Sequence, residues 1–188
     1  ISCSLVGSEM CIRDSFETMA GVVTTTFEKD GNVTVNLTNP HSMQLFVLNA
    51  DPTVGADVHF LNTGVPHAVA FLDKLEDLNI SRLGAYLRYH EAFSPKGTNA
   101  NFARILSPGH IAIRTYERGV EDETLACGTG MTACALLHAV LADAPSPIQV
   151  DVAGGDTLKV GFQRTGDRFT DVTLTGPADL VFTGDIQI

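Results

Sequence analysis

The stretch Arg114-Thr-Tyr-Glu-Arg-Gly-Val-Glu-Asp-Glu-Thr-Leu-Ala-Cys-Gly-Thr-Gly130 sets a carboxylate (Glu117), a guanidinium (Arg118) and a thiol (Cys127) ahead of a glycine-flanked helix start. After Cys127, Gly128-Thr129-Gly130 leads into Met131–Ala142, apolar nearly all round and ending before Pro145. A helix with no polar face belongs in the middle of a fold. Cys127 is therefore expected at the mouth of a buried helix, where unpaired N–H groups and the dipole favour negative charge and acidify a thiol. The glycines let the backbone approach a ligand and offer N–H groups to a carboxylate. A thiolate beside a carboxylate cradle suits removal of the α-proton of an amino acid.

Each of these residues has a plainer reading. Cys127 could be a small buried hydrophobe, Gly128 and Thr129 helix caps, and Glu117-Arg118 an exposed pair. His67, after Pro66, could be a satisfied loop histidine, and Asn99, beside Gly97-Thr98, a turn residue. Cys134, inside the apolar run, reads as core.

The elements around these residues are mostly strands. His110–Glu117 alternates, with Ile111, Ile113, Thr115 and Glu117 on one face and Ala112, Arg114 and Tyr116 on the other. An apolar face that turns polar at its end suggests a strand running out into a site. Further strands are predicted at 22–28, 32–37, 44–49, 58–62, 68–72, 102–106, 148–152, 158–162 and 169–174, with a hairpin at Lys29-Asp-Gly31. A second helix is expected at Arg82–His90, with Leu83, Tyr86 and Leu87 as its stripe. Many strands with one buried and one surface helix give an α+β class, a mixed sheet around a central helix.

Bulk properties narrow the function. Twelve basic against 22 acidic residues give a net charge of −10 with no basic run, which argues against nucleic acid or an anionic membrane as partner. No apolar run is long enough to span a bilayer. The four cysteines (Cys3, Cys11, Cys127, Cys134) and scattered histidines lack metal-ligand spacing, so no metal site is expected. Free thiols suit a reducing compartment, and the cytoplasm is the expected location.

Three motifs, in order, carry a resemblance: Thr63-Gly-Val-Pro-His67, Thr98-Asn-Ala-Asn-Phe102, and Tyr116-Glu-Arg-Gly119 followed by Glu123-Thr-Leu-Ala-Cys-Gly-Thr-Gly130. From about Met19 to Ile188 the chain resembles diaminopimelate epimerase. The resemblance implies two similar domains, each a curved sheet folded round a helix, with the active site between them. It implies interconversion of LL- and meso-diaminopimelate by two opposed thiols, without pyridoxal phosphate or metal. Cys127 would be one of those thiols, with His67 and Glu117 supporting the reaction. Asn99, Glu117, Arg118, Gly128 and Thr129 would bind the amino-acid substrate. Asparagine commonly stands in the family where this chain has Val65, so one distal contact would pass to Asn62 or water.

On that comparison, 16–53 is the remnant of a first domain, 54–175 a second domain, and 176–188 a segment returning toward the first. The family's opening region is not matched, so the chain is expected to be truncated and poorly active alone. Residues 1–15 resemble an adaptor or cloning scar and are expected to lie outside the fold. Cys11 follows a Glu-Met pair, as the family's first catalytic cysteine does, but Ile12-Arg-Asp14 replaces the glycine-rich cradle, so it is not expected to be catalytic. A homodimer is the assembly left open. The alternatives are a proline- or hydroxyproline-type racemase of the same fold, a cysteine–histidine acyl-transfer enzyme, and a non-catalytic fragment.

Overall fold

A computed structural model describes residues 13–18, 21–178 and 184. The strands are β1 (Arg13–Thr18), β2 (Gly21–Phe27), β3 (Asn32–Asn36), β4 (His41–Asp51), β5 (Ala56–Asn62), β6 (Pro66–Phe71), β7 (Asn99–Ser107), β8 (His110–Glu117), β9 (Asp122–Thr124), β10 (Ile148–Asp151), β11 (Thr157–Thr165) and β12 (Arg168–Pro177). Among the described residues two α-helices, α1 (Ile80–Arg88) and α2 (Gly128–Ala142), join them. The twelve strands of the described residues form one sheet, ordered β1-β2-β3-β12-β11-β10-β8-β7-β6-β5-β4 with β9 added on β8.

Parallel pairing occurs between β6 and β7 and between β8 and β10. Parallel neighbours need a long crossover. Here α1 makes the first and α2 the second, one on each face. Alternation along the strands feeds both cores. Leu61, Val69, Ala103, Ile111 and Ile113 pack with α2, while Val58, Ala68, Ala70, Ala100, Phe102 and Tyr116 pack with α1.

The central position of α2 follows from its composition. Residues Gly130–Ala139 are all buried, and the helix touches β5, β6, β7, β8, β10, β11 and β12. Seven adjacent strands in a flat sheet would span about 29 Å, against a helix about 10–12 Å wide. The sheet must therefore curl round α2, as expected for this fold class.

α1 starts two residues earlier than the apolar stripe suggests, because Asn79 caps it. The Asn79 side chain accepts from the Arg82 backbone N–H at 2.9 Å. Ile80, Leu83, Gly84 and Leu87 are its buried residues. Gly84 permits a close approach to β8: a Cβ there would lie 2.2 Å from Tyr116 Cβ, an atom that no rotamer change can move. Gly84→Ala is expected to lift α1 from the sheet and cost about 1–3 kcal/mol. Urea unfolding with an unchanged midpoint would show that α1 sits further out.

The sheet's edges account for other differences. β1 begins at Arg13, inside the segment expected to lie outside the fold, and Arg13–Ser15 pair with Thr24–Thr26. Backbone pairing needs no side-chain period, so no alternation marks this strand. The rest of that segment, including Cys3 and Cys11, lies outside the described residues. β1–β3 join the sheet through β12, whereas β4 joins through β5. β4 carries left-handed residues at Ser42, Phe46 and Ala50 and shifts register three times against β5. Such bulges blunt an edge against pairing with another chain. Among the described residues no helix is long and apolar enough to cross a membrane.

Candidate active site

Cys127 is the N-cap of α2, with extended backbone (φ −136°, ψ 106°) and no side-chain cap bond. Its carbonyl accepts the Met131 N–H at 2.8 Å, which starts the helix. The thiol is buried, with Sγ 3.6 Å from Thr129 Oγ1. Gly128 and Thr129, both half-buried, form the first turn. Thr63 Oγ1 donates to the Thr129 carbonyl at 2.9 Å, tying the β5–β6 turn to this helix end.

The expected acidification of the thiol is corrected by the structure. Burial pushes Cys127 up first; the Thr129 hydroxyl and the Gly130 and Thr129 N–H groups oppose it, and the negative charge of Glu117 adds to the rise. The helix start contributes as expected, but desolvation of a buried thiolate outweighs it. Cys134, wholly buried in α2, is pushed up strongly by burial, and it is a core residue as read from sequence.

His67, at the start of β6, is wholly buried. Its Nδ1 lies 3.1 Å from Asn101 Nδ2. Burial, reinforced by the Arg118 charge, pushes its pKa down to about 3, so the ring is neutral near pH 7. Among the described residues no hydrogen bond joins His67 to Cys127. A cysteine–histidine nucleophile needs that contact, so the acyl-transfer alternative is not supported.

Asn99, buried at the start of β7, accepts the Arg118 backbone N–H on Oδ1 at 2.7 Å. This bond fixes the turn after β8. Arg118 also donates from Nη1 to the Lys96 carbonyl at 3.1 Å. Glu117 is half-buried and makes no side-chain hydrogen bond or ion pair among the described residues; its charge bears on Cys127. A cleft of about 420 Å³ opens beside these loops, lined by Asn62, Gly64, Pro66, Lys96 and Arg118 together with Phe60 and Phe93. Asn62 accepts the Gly64 N–H at 3.0 Å, which shapes the turn holding Val65.

The residues singled out from sequence thus gather at the ends of β6, β7 and β8 and the start of α2. Cys127, Gly128 and Thr129 share one turn, Glu117 acts on the thiol, and Asn99 holds Arg118. His67 is buried beside Asn101. Sequence reasoning passed over Asn101, Thr115 as its partner, and Thr63. The signal for Asn101 was available: Asn99 and Asn101 alternate on one face of a strand, although asparagine is depleted in strands.

The geometry predicts selective thiol chemistry. In the native protein Cys127 is expected to alkylate with a pH midpoint above that of an ordinary thiol, while Cys134 stays unmodified. Glu117→Gln removes a negative charge and should lower that midpoint. Rate against pH, resolved by peptide mass, checks both. An unmoved midpoint in Glu117→Gln would mean that Glu117 does not face the thiol.

Known proteins resemble the chain over this same region. A family model described as diaminopimelate epimerase matches residues 59–181. The diaminopimelate epimerase of Aquifex aeolicus (strain VF5) is 42% identical over 174 residues, covering 92% of this chain and 61% of that protein. That of Chlorobaculum tepidum is 44% identical over 131 residues, covering 69% of this chain and 50% of that protein. The chain thus spans about three fifths or less of the length of these relatives. Among solved structures, a probable proline racemase from Agrobacterium radiobacter K84 with bound carbonate superposes with a TM-score of 0.66 at 20% identity, covering 92% of this chain and 59% of that one. A phenazine biosynthesis protein of the PhzF family from Bacillus anthracis superposes with a TM-score of 0.64 at 14% identity, covering 90% of this chain and 66% of that one. At these identities the structures share the fold.

Proposed function

Because this chain belongs to the diaminopimelate epimerase family, we propose that Cys127 is one of two acid–base groups in a cofactor-independent inversion of an α-carbon, with LL- and meso-diaminopimelate as substrates. The observation that carries this reading is the buried Cys127 thiol at the N-cap of α2, beside the N–H groups of Thr129 and Gly130 and near the Glu117 carboxylate. Those N–H groups can hold the α-carboxylate while the thiol trades a proton with the neighbouring carbon. Deprotonation moves charge onto the carboxylate, so donors already in place stabilise the transition state more than the ground state. A thiol whose pKa is raised rests protonated, the form that delivers a proton. To act as a base, Cys127 must lose its proton as the substrate binds, and the substrate's α-ammonium is a cation able to favour this.

Inversion needs a second acid–base group on the opposite face of the carbon. Among the described residues the other thiol, Cys134, is locked in the core. The second group is therefore taken to come from outside the described residues. Arg118, Asn99 and Asn62 suit the distal amino-acid end of diaminopimelate, a second charged end that proline lacks. Neither a metal nor pyridoxal phosphate is required by this scheme.

The test is proton NMR in D₂O with both substrates. It uses the 188-residue chain and the same chain joined to the unmatched portion of the Aquifex aeolicus relative. The joined protein should exchange and invert the α-centre, and the shorter chain should invert slowly. Exchange by the joined protein that is indifferent to Cys127→Ala would sink the proposal. Rapid inversion by the shorter chain would place the second group within it, with Cys11 as the next residue to replace.

A further inference from the structure

Asn101 lies inside β7, wholly buried, and its partners fix which way its amide faces. The Ala68 carbonyl can only accept, so the amide nitrogen must face it, at 3.0 Å. Oδ1 then faces Thr115, whose hydroxyl donates to it at 3.0 Å. The remaining amide hydrogen is directed at His67 Nδ1, 3.1 Å away. Nδ1 is therefore an acceptor, and the imidazole proton sits on Nε2. His67 Nε2 is itself buried without a hydrogen-bond partner among the described residues.

A second contact reaches the thiol's own helix. A Cβ placed on Gly130 would lie 2.5 Å from Asn101 Oδ1 and 3.3 Å from Cys127 Sγ. Asn101 thus abuts the first turn of α2 at a residue that leaves it room. One side chain joins β6 through Ala68 and His67, β8 through Thr115, and α2 through Gly130. Few other residues could do this. Leucine would leave the Thr115 hydroxyl, the Ala68 carbonyl and His67 Nδ1 unpaired, and aspartate has no hydrogen to donate to Ala68.

We propose that Asn101 is a positioning residue for the proton transfer, fixing His67 as its Nε2–H tautomer and seating the first turn of α2 on which Cys127 stands. This rests on the reading of Cys127 as an acid–base group, but neither of its two readouts uses turnover. In the 188-residue chain, long-range ¹H–¹⁵N spectra of the imidazoles, with His67 assigned through His67→Gln, should show Nδ1 as the bare nitrogen. In Asn101→Asp the carboxylate accepts rather than donates, so the His67 proton should move to Nδ1. The alkylation rate of Cys127 should change by about tenfold or more, the scale on which supporting hydrogen bonds act around other sites.

Asn101→Ala is the second variant, for use if the aspartate substitution does not fold. It takes the donor away from Nδ1, and His67 should then show both tautomers. A wild-type ring with bare Nε2 would overturn the proposal outright. So would a folded Asn101→Asp, or Asn101→Ala in its place, with the wild-type tautomer and an unchanged thiol. A moved proton with an unchanged Cys127 rate would overturn the part concerning α2. Failure of Cys127→Ala to affect α-proton exchange would instead overturn the functional reading and leave these spectra standing.

Discussion

Cys127→Ala is expected to slow α-proton exchange in the inversion-competent protein by about 10²–10⁴-fold, the usual contribution of a positioned acid or base. Alanine keeps the N-cap backbone and removes only the sulfur. Cys127 makes no side-chain cap bond to α2, so the helix should keep its start and the stability loss should be small. Substrate affinity should change little, because the substitution leaves in place the backbone N–H groups proposed to hold the carboxylate. A fall in kcat with KM nearly constant would fit a group that acts on the reacting proton. A large rise in KM with kcat preserved would instead make Cys127 a binding residue.

The second large effect concerns acid. His67 is buried and neutral, with its pKa pushed down to about 3 from an ordinary value of 6.5. Below 6.5 the unfolded chain takes up a proton on this ring, while the folded protein does not until about 3. Unfolding therefore binds a proton in that window, and stability falls as the pH falls, by about 1.4 kcal/mol per pH unit from this residue. His59 contributes in the same direction, burial lowering its pKa also. Urea unfolding between pH 7 and 4, on wild type and His67→Gln, isolates the His67 share as the difference in slope. A glutamine side chain cannot titrate, so the variant's curve should be flatter even if its stability at neutral pH is lower. Parallel curves would mean that the ring reaches solvent or a charge partner in the folded state.

The two effects are connected through Asn101. The residue that turns His67 Nδ1 into an acceptor also abuts Gly130 beside the thiol. The same close packing that strips water from His67 also strips it from Cys127, and desolvation is the first cause of both displaced pKa values.

Much of this was legible in the sequence because it is local. The alternation from His110 to Glu117 fixed which residues face α2, and Thr115 and Glu117 do follow Ile111 and Ile113 along that face. The lack of a polar face on Met131–Ala142 was enough to place the helix centrally and Cys127 at its mouth. Three short motifs, each on its own strand end or helix start, identified the family. What required the tertiary structure was everything set by partners distant in the chain. β1 and the bulges of β4 are backbone pairings with no side-chain signature. Asn101 became a site residue only when β6 and β8 supplied His67, Ala68 and Thr115 around it. The sign of the thiol's shift was decided there too. A helix start favours the thiolate from within a few residues, but burial under a curled sheet is a property of the whole fold, and at Cys127 desolvation is the larger of the two.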